Sequence, residues 1–461
     1  MQNQQMAKTM SQSDVLFLSI GAMLGWGWVV LSGDWILTAG FLGSVIAFVI
    51  GGILVIFIGL YAELSSAIPE TGGGLVFVQR AFGMKAAFVS AWGVLFGYVS
   101  VITFEAVALP TVIDYVIPTQ HAGFLWNIGG WDVYFTWVLI GSGGALFLTA
   151  LNYIGAKPAA IFQSVFTVAI ILTGFLLLGG AAFNGDFANL EPMFQGGVGG
   201  LMAVLVMIPF LFVGFDVIPQ VAAEINAPKK IIGRILIISI VSAVIFYLLI
   251  VFGVAAGLSK GQLEASSLAT ADAMVQLLGH QAFGTVLVIG GVAGIVTSWN
   301  AFIIGASRIL YAMAERGMIS KWFAYIHPKY KTPTNAILFL GALAFFAPLL
   351  GRPALVWIVN AGGVGIIVGY LIVSIAFMRL RKTEPELERP YSIKYWRTTG
   401  VLAIGLSLLF LTFYFPGMPA SLSWPAEWIL LLGWVLIGYI LYVMNPRTKE
   451  TVEHDKRTQS V

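Results

Sequence analysis

The chain of 461 residues has no cysteine and few charged residues. Without cysteine it can form no disulfide bond, no thiolate metal site and no thiol nucleophile. Charged residues make up only 10% of the chain, against about 25% in soluble domains, while 59% of its residues are hydrophobic. The net charge of +3 is too small to indicate a nucleic-acid partner. This composition excludes a soluble enzyme and a disordered protein, and it predicts an all-α polytopic membrane protein.

Stretches without charged residues predict twelve transmembrane helices, because each span needs about 20 mostly apolar residues. The stretches, the third of which continues through Glu105, are 15–33, 35–62, 86–104, 133–156, 158–185, 192–215, 235–259, 273–307, 332–351, 353–378, 398–426 and 428–446. Residues 1–13 lack the basic start of a signal peptide, so we expect the first span to be retained.

The positions of lysine and arginine predict the orientation of the chain. If the N-terminus is cytoplasmic, 22 of the 24 basic residues fall on the cytoplasmic side, and only Lys260 and Arg352 fall outside. Basic residues are retained on the cytoplasmic side of membranes. We therefore expect both termini, residues 1–13 and 447–461, and the linker 381–397 to be cytoplasmic at a cell inner (plasma) membrane.

Two of the predicted spans contain residues that weaken a helix. The first has three glycines within residues 21–28, and each costs about 1 kcal/mol relative to alanine. Gly21 and Gly25 also fit the spacing of close helix packing, which is the alternative interpretation. The sixth has two prolines, a glycine and the acid Asp216 within residues 209–219. These spans lie five apart, so they enter the membrane from opposite sides, and interrupted helices at matching positions of inverted halves indicate a transporter substrate site.

Several motifs resemble the amino acid–polyamine–organocation permease superfamily. In the first span, Gly25-Trp26-Gly27 is similar to a Gly-Ser-Gly substrate loop, and in the sixth span, Phe212-Val213-Gly214-Phe215-Asp216 is similar to Phe-x-Gly-Phe-Glu. After the second span, the match consists of Tyr61-Ala62-Glu63-Leu64, Pro69, Gly72-Gly73-Gly74 and Phe82-Gly83. The runs 226–230, 308–317 and 327–333 also match. The resemblance covers essentially the whole chain.

The resemblance implies a leucine-transporter type of fold, with two inverted repeats of five helices and interrupted helices 1 and 6. The repeats would be 14–185 and 192–380, and residues 398–446 would form peripheral helices 11 and 12. The substrate-binding residues implied by the matching motifs are Ala22, Gly25, Trp26, Gly27, Phe210, Gly214, Phe215 and Asp216.

The chain departs from the superfamily at three informative positions. Trp26 replaces the usual serine, and its indole would either bind a cation, a contact worth about 2 kcal/mol when desolvated, or pack within the bundle. Asp216 replaces a glutamate and is a candidate for gating or proton coupling. Some members carry a lysine on the fifth span in place of sodium, and that position falls near Ile170 here.

Three further polar residues lie within predicted spans. Glu105 is either a proton carrier or amine partner, or a buried neutral acid hydrogen-bonded to a neighbouring helix. Thr297 and Ser298 lie where sodium-coupled relatives place hydroxyl ligands, although hydroxyls in helices commonly bond their own backbone.

Together these features predict a secondary active transporter of a small amino acid or amine that works by alternating access. Proton coupling or exchange is expected rather than sodium coupling, because burial of Asp216 and Glu105 favours their neutral forms. We expect no cofactor, metal, nucleic acid or obligate protein partner, and membrane lipid around the chain. The alternative is a nutrient sensor that binds its ligand without moving it; the sequence lacks the motifs of an intramembrane enzyme.

Overall fold

A computed structural model describes residue 6 and residues 8–116, 121–266, 268–418 and 421–444, without the side chains of residues 54–58, 115, 116, 206, 209, 210 and 355. Most of these residues are helical. The first helices are α1 (Gln12–Met23), α2 (Gly27–Val30), α3 (Ser32–Ile58), α4 (Tyr61–Ala67), α5 (Gly74–Phe82), α6 (Met84–Val116), α7 (Phe135–Tyr153), α8 (Ala156–Asn184) and α9 (Gly197–Leu211). The remaining helices are α10 (Val217–Gln220), α11 (Lys229–Gly257), α12 (Lys260–Ala265), α13 (Ala269–Leu278), α14 (Gln281–Glu315), α15 (Thr334–Phe346), α16 (Ala354–Thr383), α17 (Trp396–Thr412) and α18 (Ala426–Met444).

Short elements join these helices. The 3-10 helices are Phe187–Leu190, Ala222–Glu224, Lys321–Ala324 and Ala347–Leu350. The strands β1 (Phe124–Ile128) and β2 (Trp131–Tyr134) form an antiparallel hairpin between α6 and α7.

Eight helical segments of the described chain are long and apolar enough to cross a membrane. They are Ser32–Ile53, Met84–Asp114, Phe135–Tyr153, Ala156–Asn184, Lys229–Gly257, Gln281–Glu315, Val356–Thr383 and Ala426–Met444. Two shorter apolar segments are Thr334–Leu350 and Trp396–Thr412. Large apolar side chains such as Leu172 and Ile429 are exposed on these helices, as a lipid-facing surface requires. The predicted class, a multi-pass helical membrane protein, is confirmed.

The second predicted span contains a kink that its sequence does not predict. The structure continues the helix through Asp34 and breaks it at Gly40, which has φ +76° and ψ 174°. A Cβ atom at Gly40 would lie 2.6 Å from the carbonyl oxygen of Met193, while the amide of Leu42 donates to that same oxygen at 2.9 Å. Glycine is required here by its backbone angle and by this close approach, and a search for charged residues does not detect such a turn.

Two other predicted spans also differ in length. The stretch 273–307 contains parts of two helices, because Gly279 ends α13 in the left-handed conformation and His280 caps α14. In the stretch 398–426, α17 ends at Thr412 and α18 begins at Ala426. An apolar run without charge gives the span but not the positions at which its helix starts and ends.

The helices differ greatly in burial. Most of α6 and α14 is enclosed by other helices, whereas α18 is mostly exposed and α7 and α8 bury only one face. The enclosed helices carry the polar side chains that the candidate site uses. Arg308 of α14 also forms a buried two-pronged ion pair with Glu224, at 2.8 and 2.9 Å, which fixes α14 beside the segment that follows α10.

Candidate substrate site

The first hydrophobic segment is not a continuous helix. α1 ends at Met23, residues 24–26 are non-helical, and the helix resumes at Gly27. The amide of Leu24 donates to the carbonyl of Ile20 at 2.9 Å and so completes the last turn of α1. The glycines of this segment remove the side chains that would otherwise favour helix, so backbone groups at the break are free to face a neighbour.

The sixth hydrophobic segment is interrupted in a similar way. α9 ends at Leu211, residues 212–216 form turns, and α10 begins at Val217. Gly214 has φ +123°, and a Cβ atom there would lie 2.6 Å from the Cβ of Ala22. The sixth break is therefore in direct contact with the last turn of α1, just before the first break, and only glycine permits both the backbone angle and the approach.

Glu105 reaches the first break from α6. Its side chain is buried and lies near Ser298 of α14. A Cβ atom on Gly25 would lie 3.0 Å from Oε1 of Glu105 and 3.3 Å from the hydroxyl of Ser298. Oε2 has no hydrogen-bond partner, and no cationic side chain pairs with Glu105 within the described residues. An unpaired buried carboxylate is costly, so this group favours carrying a proton or meeting a cation.

The other candidate hydroxyl is also engaged by protein. Thr297 donates to the carbonyl of Ala293 in its own helix at 2.9 Å and lies 3.2 Å from the carbonyl oxygen of Gly21. The hydroxyl of Thr297 therefore bonds the backbone of its own helix, as hydroxyls in helices commonly do. Its second contact is with the backbone of α1.

Trp26 is buried against α14. A Cβ atom at Gly291 would lie 2.3 Å from Cζ3 of the indole, so the ring covers this glycine. Packing within the bundle describes this placement. A cation contact by the indole stays a prediction.

Asp216 lies at the end of the sixth break and is fully buried. Its Oδ1 accepts a hydrogen bond from the amide of Gly214 at 3.3 Å. The phenol groups of Tyr98 and Tyr370 face the carboxylate, although their oxygen atoms and Oδ2 of Asp216 fall outside strict hydrogen-bond geometry. Polar atoms that face one another without full partners in a buried cluster can re-pair when the helices move.

The remaining predicted residues lie around these two acids. The ring of Phe215 is 5.8 Å from that of Tyr61 and 5.4 Å from that of Tyr370. A Cβ atom on Gly27 would lie 2.7 Å from Leu211 at the end of α9. The side chain of Phe210 lies outside the described residues.

Sequence reasoning missed the tyrosines of the site. Tyr98, Tyr247 and Tyr370 lie near the middle of long apolar helices, whereas most tyrosines of membrane helices lie at the interface. A phenol in the middle of a span needs a hydrogen-bond partner within the protein. The mid-span position of these tyrosines is therefore the sequence signal that marks them as candidates.

The position of the fifth span at which some superfamily members carry a lysine stays a prediction near Ile170. Ile170 is a fully buried apolar residue. The side chains of α8 that reach the backbone of α1 are Gln163, which lies 3.5 Å from the carbonyl of Leu18, and Thr167, which donates to the carbonyl of Phe17 at 3.2 Å.

Comparison with known proteins gives the family. A family model described as amino acid permease matches residues 10–441. The chain belongs to this family. The permease is 26% identical to the branched-chain amino acid permease BcaP of Bacillus subtilis (strain 168), over 97% of this chain and 93% of the relative.

Two other relatives from the same organism have similar coverage. The methylthioribose transporter is 24% identical to the permease, over 96% of this chain and 94% of the relative. The aspartate-proton symporter is 26% identical, over 95% and 83%. The family and these relatives are permeases and transporters rather than enzymes, and the predicted membership of the amino acid–polyamine–organocation superfamily is confirmed.

Proposed function

We propose that the permease is a secondary active transporter that moves a small amino acid or amine across the cell membrane by alternating access. The observation that carries this proposal is the contact of Gly214 in the sixth break with Ala22 in the last turn of α1, which leads into the first break, with a buried acid beside each break. Backbone groups freed within a membrane need a cavity, a ligand or a protein partner. Paired breaks at matching positions support a substrate site between them.

The proposed architecture has twelve spans, of which residues 14–185 and 192–380 form two inverted repeats and α17 and α18 are peripheral. The eight long segments, the two shorter ones and the two interrupted segments support this count. The lysine and arginine distribution supports cytoplasmic termini and a cytoplasmic linker at an inner membrane.

The proposed substrate site is formed by the backbone of residues 24–26 and 212–216 together with nearby side chains. Its residues are Ala22, Gly25, Trp26, Gly27, Phe210, Gly214, Phe215 and Asp216. Backbone amides in such breaks suit a carboxylate, and freed carbonyls suit an ammonium group. A zwitterionic amino acid uses both, whereas an amine uses the carbonyls and the acids.

We assign proton coupling to Glu105 and gating to Asp216, and exchange against a related metabolite is the alternative mode. Two observations favour a proton over sodium. Oε2 of Glu105 is unpartnered, and the hydroxyl of Thr297, one of the two candidate sodium ligands, already donates to the carbonyl of Ala293 in its own helix. The printed name of the aspartate-proton symporter adds support from a relative.

The experiment that tests the transporter is uptake by the purified full-length protein in proteoliposomes. Labelled amino acids and their decarboxylated amines are supplied with and without an inward proton gradient. Uptake that accumulates substrate above its outside concentration, and counterflow from preloaded vesicles, are expected. Saturable binding without counterflow would instead identify a nutrient sensor of the same fold.

The substrate class is tested separately by thermal shift in detergent, because a ligand that binds the folded state raises its melting temperature. Stabilisation by amino acids would assign the carboxylate to the backbone amides of residues 24–26. Stabilisation by amines alone would assign the site to cations.

A further inference from the structure

Tyr247 of α11 connects the ends of the two interrupted helices. Its hydroxyl lies 2.9 Å from the carbonyl oxygen of Met23 and 3.3 Å from that of Leu211. Met23 is the last residue of α1, and Leu211 is the last residue of α9. A phenol has one hydrogen to donate, so the two carbonyls share it.

The ring of Tyr247 is held by other aromatic rings. Phe48 stacks on it with centroids 5.0 Å apart, and the rings of Phe212 and Trp35 meet it edge-on at 5.5 and 5.9 Å. Phe212 itself belongs to the sixth break. Tyrosine has only two side-chain torsions, so a ring enclosed in this way fixes the position of its hydroxyl.

The carbonyls that meet this hydroxyl are those at the C-terminal ends of helices, which have no intrahelical partner and carry partial negative charge. Within a membrane they require a donor, water or a cation. Tyr247 supplies a neutral donor from a third helix.

We propose that the Tyr247 hydroxyl takes the place of a metal cation at the junction of the two breaks and is a positioning residue for the substrate site. By binding both carbonyls it holds residues 24–26 and 212–216 in one arrangement, and it leaves those oxygens unavailable to sodium. The substrate part of this inference rests on the proposed function.

The test compares Tyr247→Phe with Tyr439→Phe, whose hydroxyl is on the exposed face of α18. Substrate Kd is measured by equilibrium binding and Vmax by uptake into proteoliposomes, each in sodium and in choline buffer. For Tyr247→Phe we expect Kd to rise about tenfold, the effect of one lost hydrogen bond, with Vmax changed by less than about twofold. Tyr439→Phe should match wild type, and wild type should bind equally in both buffers.

A second variant keeps the hydroxyl and removes its support. Phe212→Leu should raise Kd in the same direction but by less, about threefold, because the ring loses one of its enclosing neighbours. This variant carries the test if Tyr247→Phe does not fold, as judged by size-exclusion chromatography and melting temperature.

The possible results separate clearly. Unchanged Kd in both variants, a loss confined to Vmax, or saturable stabilisation of wild type by sodium would overturn the inference. If wild type neither binds nor transports any amino acid or amine, the proposed function fails instead.

Discussion

The two helix breaks differ in where their acidic group comes from. Residues 24–26 carry no acid and lie beside Glu105, which belongs to α6. Residues 212–216 carry their own acid, Asp216, which accepts from the amide of Gly214 within the same break. The distance between Glu105 and the first break changes when the break moves, because Glu105 belongs to another helix. Asp216 moves together with the sixth break, because it is part of that break.

This difference suggests separate tasks for the two acids. Protonation of Glu105 changes the contact between α6 and the first break, which suits ion coupling. Displacement of Asp216 changes its position relative to Tyr98 and Tyr370, which suits a gate. The following predictions test this division of roles.

The largest effect on transport is expected at the contact between Gly214 and Ala22. Gly214→Ala introduces a Cβ atom 2.6 Å from that of Ala22 at φ +123°. Positive φ and overlap each cost roughly 1–3 kcal/mol, so transport should fall by about a hundredfold or more and melting temperature should decrease. Gly433→Ala on α18 is the matched control, because nothing lies within 4 Å of its Cβ position. Near-normal transport by Gly214→Ala would mean that transport does not depend on the close contact between Gly214 and Ala22.

Glu105→Gln tests the acid that lies beside the first break on the neighbouring helix α6. The amide cannot release a proton, so uptake should no longer respond to a proton gradient, while exchange across the membrane continues. We expect accumulation to fall by about tenfold or more, as for loss of one positioned proton-transfer group. The measurement is uptake at imposed pH gradients, with Glu386→Gln in the exposed linker as control. A retained gradient response would transfer the proton role to another group.

Asp216→Asn tests the acid that belongs to the sixth break. If Asp216 is a gate, turnover should fall by about tenfold, from the loss of the hydrogen bond that its carboxylate accepts from the amide of Gly214, and the response to pH should survive. Tyr98→Phe should lower turnover less, and the double variant should be non-additive because the two groups share one contact. Uptake rates across several pH values separate this outcome from a proton role, in which the pH response itself would disappear.

Trp26→Leu should have the smallest effect on binding. Because the indole covers Gly291, its loss should lower stability, by about 2–4 kcal/mol for a large buried side chain, more than it changes ligand affinity. If the indole serves packing alone, amine and amino acid Kd values should stay within about threefold of wild type. A loss of affinity for amines alone would show that the indole faces the ligand.

The sequence allowed the breaks themselves to be predicted, because glycine, proline and an acid in an apolar span oppose a continuous helix. It did not allow the turn at Gly40 to be placed, since that turn depends on the carbonyl of Met193, a residue distant in the chain. Helix ends in apolar runs are set by such tertiary contacts rather than by local charge.

The sequence also allowed only part of the candidate site to be predicted, because tertiary contacts bring the rest of it together. Ala22, Gly214 and Asp216 belong to local motifs, so their contact could be expected. Tyr98, Tyr247 and Tyr370 come from three separate helices, and the contacts that each makes with the interrupted segments depend on how those helices rotate about their axes. Mid-span position marks such residues as unusual but does not identify their partners.

The glycines of α14 have a consequence for comparing sequences. Gly291 accommodates the indole of Trp26, and Gly294 lies against the carbonyls of Leu24 and Gly25. The volume beside the first break is thus divided between two distant positions of the chain. Among homologous sequences, a larger residue at position 291 should be accompanied by a smaller one at position 26, so that these two columns of an alignment vary together.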